Sequence, residues 1–184
     1  MEVRRILFFS AFVLLSCHQN VDLEKKSFRS EKVSKTASFT LNSSIEQVFP
    51  LFGAFEERKW EPNWEPILIY PEQEIIEEGT TFKIKTHGHG HGHGNESELL
   101  WIVTKFNPQT YLIQYLVTTS NRFWTITVQC QKNGSDEKTK ATVTYAFTGL
   151  NATGNELNKA SLDRMYQHDL QDWAKAINSY LGTL

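Results

Sequence analysis

The stretch SIEQVFPLFGAFEERKWEPNWEPILIYP, residues 44–71, decides the fold. Its beginning predicts a short helix that Ser43 or Ser44 caps at the N-terminus. Pro50 limits the regularity of this helix, because proline removes a backbone donor. Two tryptophan-containing turns then lead into a brief strand at 67–70. The apolar face of the helix consists of Ile45, Val48, Phe49 and Phe52.

Strand patterns flank this stretch on both sides. One alternating segment before it predicts a strand at 33–41. The segments after it are enriched in β-branched and aromatic residues and are separated by turn sequences such as NPQT and NGSD. They predict strands at 80–87, 98–106, 110–119, 122–132 and 138–150. Short turns between consecutive strands predict an antiparallel meander.

The last segment of the chain changes its period. Apolar residues recur at intervals of three and four, which predicts one long amphipathic helix. Asn155 or a residue near it would cap this helix. The stripe consists of Leu162, Tyr166, Leu170, Trp173, Ile177 and Leu181. A meandering sheet needs one face covered, so the sequence predicts an α+β fold in which this helix packs on the sheet.

The opening stretch resembles that of START-like (SRPBCC, polyketide cyclase/dehydrase-like) proteins. The resemblance covers residues 33–181, and Asn63 stands where the family often has glycine. It is carried by Glu57, Trp60, Pro62, Trp64, Pro66, Tyr70 and Pro71. The resemblance implies the helix-grip fold, in which a curved antiparallel sheet of about seven strands wraps round a long C-terminal helix, with two short helices after the first strand. It also implies binding of lipids or small hydrophobic molecules, with cyclase activity in some members.

A curved sheet closed by a helix leaves space for a ligand. Strand alternation assigns the inward faces, and Ile102 is placed inward because Lys105 is expected outside. Tyr115 and Tyr145 would orient a polar group on a largely hydrophobic ligand. For each residue of this lining, simple core packing is the alternative. The predicted lining is Phe82, Ile84, Ile102, Tyr115, Trp124, Ile126, Val128, Tyr145, Phe147 and Tyr166.

No catalytic residue is predicted. The alternation places no aspartate, glutamate or histidine in the cavity, and no nucleophile–base pairing can be drawn. Cys130 is expected to be a small buried core residue. His168 is expected to face solvent, since it lies off the apolar stripe of the helix. Catalysis is therefore not favoured, although a cyclase-like or hydrolase-like activity remains an alternative.

A histidine–glycine tract lies between the strands predicted at 80–87 and 98–106. Four imidazoles so close together can bind Zn²⁺, Ni²⁺ or Cu²⁺. Alternating glycine favours a floppy hairpin tip over a fixed array of ligands. The candidate metal ligands are His87, His89, His91 and His93. No other cofactor is predicted.

The first residues predict export. Residues 1–16 have two arginines and a short apolar run, as in a secretory signal peptide. The sequence LLSC ending at Cys17 resembles a bacterial lipobox, so Cys17 is predicted to carry lipid. Residues 17–32 are read as a flexible tether and 33–184 as the folded domain. The formal net charge of −2 without a basic cluster argues against a nucleic-acid partner.

Three functional hypotheses follow from these patterns. The first is an exported lipoprotein, held at the cell or outer membrane, whose domain binds a small hydrophobic molecule or lipid. The second is an exported metal-binding protein that uses the histidine tract. The third is an enzyme of the cyclase or hydrolase type with its site in the cavity.

Overall fold

The computed structural model describes residues 28–85 and 98–184. The predicted signal peptide, Cys17, most of the tether and the four candidate metal ligands His87, His89, His91 and His93 lie outside these residues. Their assignments therefore stay predictions. Among the described helices, none is long and apolar enough to cross a bilayer.

The described residues form seven strands and three α-helices, in nearly the predicted order. The first helix is short, as expected, and two 3-10 turns (Phe49–Phe52 and Glu56–Lys59) follow it. The strands are β1 (Lys32–Leu41), β2 (Pro66–Tyr70), β3 (Thr81–Lys85), β4 (Glu98–Asn107), β5 (Leu112–Thr118), β6 (Arg122–Asn133) and β7 (Ser135–Gly149). The helices are α1 (Ile45–Val48), α2 (Ala152–Met165) and α3 (Gln171–Leu181).

All seven strands belong to one antiparallel sheet. Their spatial order is β1-β7-β6-β5-β4-β3-β2, so β1 joins the sheet beside the last strand. Helix α2 packs on β7 and β1, and α3 packs on β1. The hydrophobic core lies between this face of the sheet and the helices. The predicted α+β helix-grip architecture is confirmed.

The C-terminal helix differs from the prediction, because it is broken between Met165 and Gln171. Asp169 and Leu170 adopt left-handed backbone conformations, with φ of 49° and 58°. Such conformations cost a non-glycine residue about 1 kcal/mol each. Tyr166 fixes the end of α2, since its hydroxyl donates to the carbonyl of Lys35 at 2.8 Å. The predicted stripe nevertheless stays buried from Leu162 to Ile177 on both sides of the break.

Strand β4 corrects one face assignment. Its register shifts between Val103, which pairs with Tyr115, and Lys105, which pairs with Gln114. Thr104 is the extra residue of this β-bulge, so the alternation changes phase there. Lys105 faces outward as expected, but Leu99, Trp101 and Val103 form the buried face. The prediction that Ile102 points inward is therefore wrong.

The bulge can be tested with a pair of neighbouring substitutions. Ile102→Thr is expected to lower the free energy of unfolding by less than about 1 kcal/mol, because the residue lies on the outer face. Val103→Thr is expected to cost at least about 1 kcal/mol more, because it buries a hydroxyl in the core. Urea unfolding of both variants measures the difference. A larger loss of unfolding free energy for Ile102→Thr than for Val103→Thr would mean that Ile102 points inward, as the alternation predicted.

Candidate functional site

Two tryptophans hold the segment that follows α1. The indole nitrogen of Trp60 donates to the carbonyl of Leu51 at 2.8 Å, and that of Trp64 donates to the carbonyl of Ala54 at 2.5 Å. Both rings are buried. Because each indole satisfies a backbone carbonyl of the preceding turns, the two tryptophans fix the path of the chain between α1 and β2.

Glu57 lies in the chain between the accepting carbonyls and these two tryptophans, and its side chain points inward. In the same 3-10 turn, Lys59 forms an ion pair with Glu56, and Arg58 pairs with Glu74 at 2.6 Å, all on the surface. Glu57 is 9% exposed. The expectation that no carboxylate enters the cavity is therefore wrong. In a turn with three residues per repeat, Glu57 shares its side with Trp60, which is the signal that strand alternation could not provide.

The Glu57 side chain opens on a small cavity between the sheet and the helical segments. Its volume is about 20 Å³, which is close to the space that one water molecule needs. Aromatic rings form most of the wall: Phe52, Trp64, Trp101, Tyr115, Tyr145 and Trp173. Ile126 and Val128 complete the lining from β6. The site is thus one carboxyl group enclosed by rings.

The environment of Glu57 disfavours its charged form. Burial raises the pKa of this carboxyl well above its usual value, and the nearby charge of Glu61 raises the pKa further. Among the described residues, no hydrogen-bond donor or cation contributes to holding the charge. A carboxyl in such a place keeps its proton to a higher pH than an exposed glutamate does.

Two tyrosines share the cavity with Glu57. The Tyr115 hydroxyl donates to the carbonyl of Phe52 at 2.8 Å, so its proton is already engaged. Burial, and then the charge of Glu57, raise the pKa of both phenols well above the usual value. Tyr145 therefore stays protonated and is a donor and acceptor beside the carboxyl.

The predicted lining residues separate into groups. Four of them lie at the cavity: Tyr115, Ile126, Val128 and Tyr145. Phe82 packs behind the wall, with its ring centroid 5.7 Å from that of Trp101 and 6.0 Å from that of Tyr115. Ile84 is buried in the same core, and Tyr166 bonds β1 and β7. Ile102 lies on the opposite face of the sheet.

Trp124 and Phe147 point inward as expected but contact a different group. Their rings stack with centroids 5.1 Å apart. The guanidinium carbon of Arg122 lies 5.2 Å from the Trp124 centroid and 5.3 Å from the Phe147 centroid. Arg122 is fully buried and donates to the hydroxyl of Ser161 at 2.8 Å. This pair of rings therefore packs on a buried cation and is absent from the lining of the Glu57 cavity.

Besides Glu57, four residues that line the cavity are not among the predicted lining residues. The predicted inward position of Ile102 implies an outward Trp101, which the bulge in β4 reverses, and Trp173 is predicted only as part of the helix stripe. The sequence assigns Phe52 only to the apolar face of the first helix and Trp64 only to a turn before the strand at 67–70. Within the described residues, no group of three histidine, cysteine, aspartate or glutamate side chains could hold a metal ion. Cys130 is buried, and burial raises the pKa of its thiol to about 12.

The fold is shared with solved structures of low sequence identity. No known family model and no curated protein matches the chain. The chain is similar to norcoclaurine synthase from Thalictrum flavum, with a TM-score of 0.58 and 11% identity over 94% of this chain and 98% of that one. It is also similar to Ara h 8.0201, with a TM-score of 0.60 and 15% identity over 84% and 100% of the two chains.

A protein from Thermobifida fusca is a third example, with a TM-score of 0.56 and 17% identity over 80% of this chain and 92% of that one. At these identities the likeness concerns the backbone arrangement. The chain therefore has the helix-grip fold of these proteins, and its function has to be argued from its own residues.

Proposed function

From the helix-grip fold and the cavity at Glu57, we propose that this domain binds a small, largely hydrophobic molecule between the sheet and the helices. Rings supply the apolar contacts, while Glu57 and Tyr145 hold the polar end of the ligand. One observation carries the proposal: a buried carboxyl and a buried phenol line the same aromatic cavity, and the buried indole nitrogen of Trp101 at this cavity has no hydrogen-bond partner among the described residues. Buried polar groups without partners are rare in folded proteins, and a ligand would satisfy them.

The cavity must widen to admit such a molecule. A drug-sized ligand occupies a pocket of roughly 300 Å³ or more, compared with the present volume of about 20 Å³. Helix α3 is the element proposed to move, since it carries Trp173 and follows the left-handed pair Asp169 and Leu170. Such residues at an element terminus can absorb a change in direction of the chain.

The proposal includes the cellular location of the protein, which is outside the cytoplasm and attached to a membrane. The signal-like residues 1–16 and the lipobox-like sequence before Cys17 support export and attachment to a membrane through a lipid on that cysteine. The ligand would then be taken up outside the cytoplasm. Membrane fractionation of cells that express the chain or its Cys17→Ser variant tests this part. Equal distribution of both proteins would contradict the lipid anchor.

The binding function is tested by the ligand that copurifies with the protein. The full chain, produced without a polyhistidine tag, is extracted with organic solvent, and the extract is analysed by mass spectrometry. Val128→Trp, which fills the cavity with a larger ring, is compared with the wild type. We expect an organic compound in the wild type and its loss in Val128→Trp. Equal amounts in both, or none in the wild type, would contradict the proposal.

A third variant separates binding in the cavity from metal binding. In it, His87, His89, His91 and His93 are replaced by serine. We expect the organic compound to remain in this variant. Stoichiometric Zn²⁺, Ni²⁺ or Cu²⁺ in the wild type and its loss in the serine variant, without any organic compound, would favour the metal-binding hypothesis instead.

Catalysis is a second candidate, because Glu57 combines burial with a raised pKa. A carboxyl that keeps its proton near neutral pH can act as a general acid. If the domain is an enzyme, Glu57→Gln should retain a compound that differs in mass from the compound bound to the wild type, since the reaction stops before completion. The same mass in both proteins would favour binding alone.

A further inference from the structure

We propose that the ligand carries a primary ammonium group, R–NH₃⁺, and that the carboxylate of Glu57 binds this group inside the aromatic cavity. This inference rests on the proposed binding function and specifies its ligand class. It is carried by the buried carboxyl group, by the rings around it and by the size of the space.

Once Glu57 loses its proton, the carboxylate favours a cationic ligand. The two basic residues that follow Glu57 in its turn are engaged elsewhere: Arg58 with Glu74 and Lys59 with Glu56. Within the described part of the chain, no lysine or arginine contributes to the electrostatics of Glu57. In a low-dielectric cavity a carboxylate interacts strongly with any nearby charge. A cationic ligand would compensate it, whereas an anionic ligand would be repelled.

The aromatic rings of the cavity also favour a cationic ligand. Tryptophan and tyrosine faces carry negative charge density and attract ammonium groups, with tryptophan the strongest. Three separate parts of the chain place a tryptophan at this cavity: Trp64 before β2, Trp101 on β4 and Trp173 on α3. Tyr145 adds a hydroxyl oxygen that can accept a hydrogen bond. An ammonium group would thus meet a carboxylate, a phenol oxygen and several aromatic rings.

The size of the space distinguishes a primary from a quaternary ammonium. The cavity has room for about one water-sized group, with a volume of about 20 Å³. An –NH₃⁺ head is of that size and has three N–H donors to satisfy. Three methyl groups in place of these hydrogens would collide with the rings and would remove the donors. The alkyl or aryl remainder of the ligand would occupy the space opened by α3.

Binding is tested by calorimetric titration of the full chain with three probes that share one tail: n-butylammonium, 1-butanol and butyltrimethylammonium. At the alkaline end of a titration series from pH 6 to 9, where the carboxylate is favoured, we expect the primary amine to bind at least about 10-fold more tightly than the other two probes. The preference should disappear in Glu57→Gln and persist in Glu65→Gln, where the replaced side chain is exposed. Thermal unfolding of each variant verifies that it is folded.

Two results would overturn the ammonium inference and leave the binding function standing. The first is equal affinity for the amine and the alcohol in the wild type. The second is no amine binding by a protein that still copurifies with an organic compound. Absence of both probe binding and a copurified compound would contradict the two proposals together.

The pH dependence provides an independent signature. The groups that face Glu57 are Tyr115 from β5, Tyr145 from β7 and Glu61 from its own segment. The two phenols stay neutral, so Glu57 is the group that titrates. Because binding requires the carboxylate, amine affinity should rise with pH through the raised pKa of Glu57, with proton release on binding. Alcohol affinity should not rise. An amine affinity independent of pH would contradict the role of Glu57.

Discussion

Replacing Gly154 by alanine is expected to lower the free energy of unfolding by about 3 kcal/mol or more, although alanine is favoured over glycine inside a helix by about 1 kcal/mol. A Cβ atom at Gly154 would lie 2.0 Å from the carbonyl oxygen of Asn121. That oxygen also accepts a hydrogen bond from the Leu150 nitrogen at 2.7 Å. Because both partners are backbone, the start of α2 or the β5–β6 turn would have to move.

Gly182 at the end of α3 provides the matched control. A Cβ atom there has its nearest neighbour at 3.4 Å, which is ordinary contact. Gly182→Ala is therefore expected to change stability by no more than about 0.5 kcal/mol. Urea unfolding of both variants measures the contrast. Equal stability of the two variants would mean that α2 and the β5–β6 turn do not approach so closely in solution.

Glu57→Gln is expected to stabilise the protein, and the gain should grow with pH. The folded state raises the pKa of Glu57, so the stabilisation associated with its protonated form is fully present below the unfolded value near 4.5. It is lost as the pH rises through the folded pKa, because the wild type must then bury a charge. Glutamine remains neutral throughout. We expect a difference close to zero near pH 4 and a gain of about 2 kcal/mol or more at pH 8.

Thermal and urea unfolding across pH 4–9 would measure this effect, with Glu65→Gln as the control. Glu65 is exposed, so its replacement should leave the pH profile unchanged. A wild type that is more stable than Glu57→Gln at pH 8 would show that the protein compensates the charge of Glu57. In that case the cavity would need no cation, and the ammonium inference would lose its electrostatic basis.

The strands and their faces could largely be predicted from the sequence. Side chains alternate along a strand whatever packs against it, so Tyr115, Ile126, Val128 and Tyr145 were assigned inward from their own segments. All four lie at the cavity. The same rule failed at Ile102, because the bulge at Thr104 depends on how β4 pairs with β5. That pairing is a property of two strands together.

In the C-terminal region, too, local sequence predicted the buried residues, whereas contacts with other elements decided where the helix ends. The apolar stripe predicted which residues of the last segment are buried, since periodicity records the buried face of a helix. The break between Met165 and Gln171 was not predicted, because the Tyr166 hydroxyl ends α2 through bonds to β1 and β7, which are remote in sequence. The break in turn sets the direction in which α3 brings Trp173 to the cavity.

The sequence by itself determined the fold class, the order of the elements and most of the buried faces, because these follow from local periodicity and turn chemistry. Only the tertiary structure decided where the site lies. Glu57 is one of five acidic residues in the stretch 44–71, and its spacing from Trp60 does not by itself show that it lies at a cavity. Its burial depends on the anchoring of Trp60 and Trp64 to carbonyls of the preceding turns and on rings from β4, β5, β7 and α3. These contacts join distant parts of the chain, so they exist only after folding.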